Sequence, residues 1–101
     1  MIVVCVNDKH RPNEIKDSNW IKQGKVYNVA KLKKSVITGE KFYELVELKP
    51  DAPYGGYKIE RFAIPLMEID KFCKMFNVDI DTDEQLLELL TEKGVLEEEY
   101  I

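Results

Sequence analysis

A chain of 101 residues has room for one hydrophobic core and little beyond it. With 45% hydrophobic and 34% charged residues it is neither low-complexity nor collagen-like, and the composition suits a folded soluble protein. A formal net charge of -4 excludes both a histone-like polycation and a polyacidic tail protein.

The opening Met1-Ile2-Val3-Val4-Cys5-Val6 turns polar at Asn7-Asp8. It lacks a basic start and a small-residue cleavage site, so we expect no signal peptide, and no apolar run approaches the length of a bilayer span. The expectation is a cytoplasmic protein without membrane contact. Ile2 to Val6 predicts a buried strand, because a short β-branched run bounded by turn formers packs best in a sheet. Cys5 and Cys73 stand far apart in apolar surroundings, as buried free thiols do.

Asp8 to Asn19 is a largely polar run with Pro12 inside it, a long surface loop of the kind that carries function. Trp20-Ile21 closes it, and a strand is expected over 25–33. Thr38-Gly39-Glu40 supplies a hairpin turn, with a return strand over 41–48. Period-two alternation gives that strand apolar groups on both faces: Phe42, Val46 and Leu48 on one, Tyr43 and Leu45 on the other. Something must cover the second face, and the segment Ile69 to Leu90 is the candidate. Pro50, Pro53 and Gly55-Gly56 mark a second irregular loop over 49–56, and a short strand is expected over 57–64 before Pro65.

Ile69, Phe72, Cys73 and Phe76 have helical spacing, which leaves 66–78 either helix or extended wrap. The last element is plainer. Thr82-Asp83-Glu84-Gln85 is a capping-box sequence and Gly94 suits a C-terminal cap, so a helix is expected over 83–93 with Leu86, Leu87, Leu89 and Leu90 on its apolar side.

These pieces predict a mainly β chain with a minor α component: a small barrel over 1–65 and a C-terminal helical appendage over 66–101 packed on it as one unit. Trp20-Ile21-Lys22-Gln23-Gly24-Lys25-Val26-Tyr27-Asn28-Val29, together with Tyr43-Glu44-Leu45, Gly56-Tyr57 and Arg61-Phe62-Ala63-Ile64-Pro65, resembles small Src-homology-3-like barrel proteins of phages and mobile elements. The resemblance spans Val3 to Pro65 and implies a barrel fold. It brings no catalytic residue, and most of that group has no assigned function.

No coherent catalytic set emerges, so we expect a protein that is not an enzyme and uses no cofactor. Cys5, Asp8 and His10 carry ligand chemistry, but a strand cysteine and one histidine without a second imidazole or a Cys-x-x-Cys partner argue against a metal or thiolate centre. Asp79-Ile80-Asp81-Thr82-Asp83 alternates like a calcium loop yet lacks its glycine and terminal glutamate, and acidity favourable to a helix start explains it more simply.

Charge is distributed unevenly. Met1 to Arg61 carries 12 Lys and Arg against 8 Asp and Glu, whereas Phe62 to Ile101 carries 3 against 11. Lys22, Lys25, Lys31, Lys33 and Lys34 on and beside the hairpin, with Trp20, Tyr54 and Tyr57 as stacking groups, give a nucleic-acid reading. The simpler account is that the basic half complements the acidic tail. The reading favoured over both is a binding or adaptor module that takes a protein or peptide partner on the loop face of Trp20, Tyr54 and Tyr57, with Tyr57 exposed beside its glycines.

Overall fold

Alternation in the central strand sets the sheet. The computed structural model describes all 101 residues. In it β1 (Ile2–Cys5) and β2 (Val26–Lys34) pair antiparallel, with Ile2 opposite Asn28 and Val4 opposite Val26. Tyr27 and Val29 turn inward at period two. Strict alternation would then send Lys31 into the core and Leu32 out. A bulge between Val29 and Lys31 resets the phase, so that Leu32 is buried opposite Tyr43 while Lys31 faces Glu44.

The return strand β3 (Lys41–Leu45) is shorter than the expected 41–48. The Glu47 carboxylate accepts the backbone N–H of Asn28 at 2.8 Å and its amide at 2.7 Å, so a side chain takes the next rung and the chain leaves the sheet. Only one face of β3 enters the core, through Tyr43 and Leu45. The expected covering of the other face is not seen: Val46 is 67% exposed, and the helical leucines join the core that contains Tyr43 and Leu45.

The single strand expected over 57–64 is two strands and a turn. β4 (Tyr57–Lys58) pairs with β3, a 3₁₀ turn covers Ile59–Arg61, and β5 (Phe62–Ala63) pairs with β1. The order is β4-β3-β2-β1-β5, so the two ends of the sheet are joined by three residues. The sheet is therefore curled, but no ladder between β4 and β5 closes it.

Pro65 ends the sheet and caps α1 (Leu66–Phe76), so 66–76 is helix and not an extended wrap, stopped by Asn77 in the left-handed region at φ 54°. α2 (Asp83–Glu92) begins with the capping box expected of it: the Gln85 N–H donates to Thr82 Oγ1 at 3.2 Å, and the Thr82 N–H donates to Gln85 Oε1 at 3.3 Å. Asp83 Oδ2 accepts the Ile64 N–H at 3.1 Å and ties this helix to the end of β5. Leu86, Leu87 and Leu90 are buried with Phe72, Val3 and Tyr27 in one core.

The acidic end joins the sheet. It forms β6 (Glu98–Tyr100), parallel to the outer half of β2, with Leu32 opposite Glu98 and Lys34 opposite Tyr100. β1 and β6 thus occupy the same edge of β2, end to end. No helix is long and apolar enough to cross a membrane.

Candidate functional site

The two irregular loops meet beside β3 and β4. Asp51, in the second loop, accepts the backbone N–H of Lys16 at 2.8 Å and the Asn19 amide at 3.2 Å. These bonds, the Lys16 amide first, hold its carboxyl below the usual carboxylate range. Nearby, Tyr54 donates its hydroxyl to Glu14 at 3.3 Å, and Tyr57 donates to the Asn19 carbonyl at 2.5 Å. Lys33 reaches the same loop from β2, its Nζ 2.9 Å from the Gly55 carbonyl.

Between the loops lies an apolar cavity of about 250 Å³. Pro12, Ile15 and Trp20 of the first loop form one wall, Tyr54 and Gly56 of the second form another, and Phe42 and Tyr57 of adjacent strands lie at its base. Lys58 and Arg61 complete the lining. Gly56 is required by close approach. A Cβ there would stand 2.8 Å from the Tyr43 carbonyl oxygen and 3.1 Å from Phe42 Cβ, so only a bare backbone can settle against β3.

Trp20 is held on three sides. Its Nε1–H donates to the Asp8 carbonyl at 2.6 Å, its ring lies 5.9 Å from that of Tyr57, and the Arg61 guanidinium sits 4.9 Å from its centroid. Arg61 Nη1 also donates to the carbonyls of Lys9 and Asn7, at 2.6 Å and 3.3 Å. The indole is thus 8% exposed yet borders the cavity, a fixed aromatic wall rather than a mobile finger.

Tyr57 corrects the expectation of an exposed ring. It is 2% exposed, because Gly56 brings the chain onto β3 and turns the next side chain into the core. Burial raises its phenol well above the ordinary range. Tyr54 is the exposed aromatic of the three, at 38%. Its own partial desolvation and the Glu14 carboxylate raise its phenol.

The lysines do not form one patch. Lys25 opens the approach to β2 and lies 5.7 Å from the Tyr27 ring, whereas Lys33 and Lys34 end the strand, roughly 25 Å away at the rise of an extended chain. Lys33 is also close to Glu44, at 3.6 Å, and its side chain is 14% exposed. Lys31 is bonded to Glu99 of β6 at 2.9 Å, which raises its pKa and lowers that of Glu99. Basic hairpin and acidic tail therefore do meet. Lys34 lies opposite Lys41.

Cys5 is a buried residue of β1 whose thiol is pushed up by burial, and His10 is exposed in the first loop at φ 61°. Both cysteines are free. Sequence reasoning missed Pro12, Ile15, Phe42, Gly56, Lys58 and Arg61 as cavity residues. Ile15 carried a signal: an apolar residue in an otherwise polar loop is there to be buried, and it is 1% exposed. Compared with family models, curated proteins and solved structures, the chain finds no match in any of the three.

Proposed function

We propose that the chain is a non-catalytic, cytoplasmic binding or adaptor module that holds an extended segment of a partner protein in the cavity between its two loops. The observation that carries this reading is the convergence of Trp20, Tyr54 and Tyr57 on one apolar hollow. A Src-homology-3-like barrel related to those of phages and mobile elements is part of the same proposal. It is supported by the order β4-β3-β2-β1-β5 and by the 3₁₀ turn between β4 and β5.

Size favours a peptide over a cofactor. Sites for drug-sized ligands span about 300–1,000 Å³, so a hollow of about 250 Å³ takes one or two side chains and leaves the rest of a ligand on the surface. Tyr54 is suited to lie against such a ligand, since it is half-exposed and its hydroxyl is already anchored on Glu14.

The test is a peptide array probed with the intact chain, followed by titration of hits against Trp20 emission. Tyr54→Ala should weaken a hit by about tenfold while leaving the urea midpoint in place. If no peptide binds, or if the hits are indifferent to Tyr54 and leave Trp20 emission unchanged, the cavity is not a peptide site.

A further inference from the structure

We propose that the cavity selects acidic partners: an apolar side chain enters it, and flanking Asp or Glu carboxylates lie on Lys58 and Arg61. This inference rests on the peptide-binding reading of the same cavity and adds the chemistry of its ligand.

Charge complementarity carries it. Lys58 and Arg61 are the two charged side chains that line the hollow, and both are cationic. Three nearby carboxylates already have partners, and Glu60 lies between the two cations in the 3₁₀ turn. Asp51 is bonded to Lys16 and Asn19, Asp17 lies 3.8 Å from Lys22, and Glu14 accepts from Tyr54. Lys58 has one acidic neighbour, Glu40 at 3.7 Å, and both side chains of that pair are about half exposed. Such a pair is weak enough in water for a ligand carboxylate to compete with it.

Arg61 has unused capacity. A guanidinium offers five N–H donors in a planar fork. Both of the carbonyls it meets, on Asn7 and Lys9, are bonded through Nη1, and the group lies 4.9 Å from the Trp20 centroid. The remaining donors can take a carboxylate in the bidentate manner that this fork favours. A basic ligand would instead bring like charges against Lys58 and Arg61.

The experiment uses the intact chain and its one tryptophan as reporter. Three tryptophan-free peptides share a Leu-Phe centre and differ in their flanks, which are Glu, Gln or Lys. At low salt the Glu-flanked peptide should bind about fivefold or more tightly than the Gln-flanked one, and the Lys-flanked one weakest. The advantage should shrink as salt is added. Lys58→Gln should remove most of the Glu-over-Gln preference, and Lys58→Glu should reverse it. Both variants should keep the wild-type urea midpoint, because the Lys58 side chain is 56% exposed.

Equal binding of all three peptides, or tighter binding of the Lys-flanked one, overturns the acidic selectivity and leaves the peptide site standing. If none of them, nor any array peptide, alters Trp20 emission, the underlying reading fails. An oligothymidylate that displaces the Glu-flanked peptide and binds more tightly at the same salt would also overturn the proposal, since the rim would then be reading phosphate.

Discussion

Asp51 shows how one surface carboxylate can organise a site. Its pKa is lowered in the folded chain by the Lys16 N–H and the Asn19 amide. A group depressed on folding contributes stability that is fully present above its unfolded pKa and is lost as pH falls through the folded value. The link between the loops should therefore hold at neutral pH and open in strong acid. Asp51→Ala should open it at neutral pH, read as faster hydrogen exchange at the Lys16 amide after correction for intrinsic rate, and Asp51→Asn should retain part of the protection. Unchanged exchange in the Ala variant would show that the loops are held by other means. The adjacent glycines offer a paired test. At Gly55 a Cβ would meet Lys33 Nζ at 3.5 Å, an ordinary contact, whereas at Gly56 it would meet backbone at 2.8 Å. Gly56→Ala should cost about 1–3 kcal/mol, as overpacking does. Gly55→Ala should be nearly neutral, both read from urea midpoints at constant m.

Local chemistry made some elements legible in the sequence, and distant pairing hid others. The capping box of α2 lies within four residues and forms as expected. Thr82→Ala should therefore cost about 1 kcal/mol and Thr82→Ser much less, measured by urea unfolding; equal stability of wild type and Ala variant would remove the cap from the account. Helix α1 was ambiguous over 66–78 because Pro65 starts a helix and ends a strand equally well. The break in 57–64 could not be read locally, since β4 and β5 belong to opposite ends of the sheet and only their partners demand a turn between them. β6 was hidden for the same reason: charge alone lets the acidic tail meet the basic half, but only the open edge of β2 beside it makes a strand there. At the candidate site, sequence pointed to Trp20, Tyr54 and Tyr57. It was silent on Lys58 and Arg61, whose place at the rim depends on where the 3₁₀ turn puts them.

At the scale of the molecule, the helices contribute to the same core as the sheet. Phe72, Leu86, Leu87, Leu90 and Leu96, all beyond residue 65, are buried with Val3, Tyr27 and Tyr43 of the strands. Polar ties run the same way. Glu68 of α1 is 6% exposed and bonds the Ile2 N–H of β1, with Lys71 at 3.0 Å. Burial alone would raise its carboxyl, but these partners outweigh burial and hold it lowered. A core shared in this way should unfold in one step, because removing either part exposes apolar surface on the other. Two signals separate the parts: Trp20 emission follows the loops over the sheet, and far-UV circular dichroism is dominated by α1 and α2. Their urea transitions should coincide. Leu90→Ala, a truncation at a fully buried position, should move both midpoints down together by an amount equivalent to about 2–5 kcal/mol. Helical signal lost at lower urea than Trp20 emission, or a Leu90→Ala shift seen in one signal alone, would mean that the sheet stands by itself. Tight coupling also bears on the proposed partner, since a ligand that binds only the folded chain at the Trp20 cavity would then raise the midpoint of both signals equally.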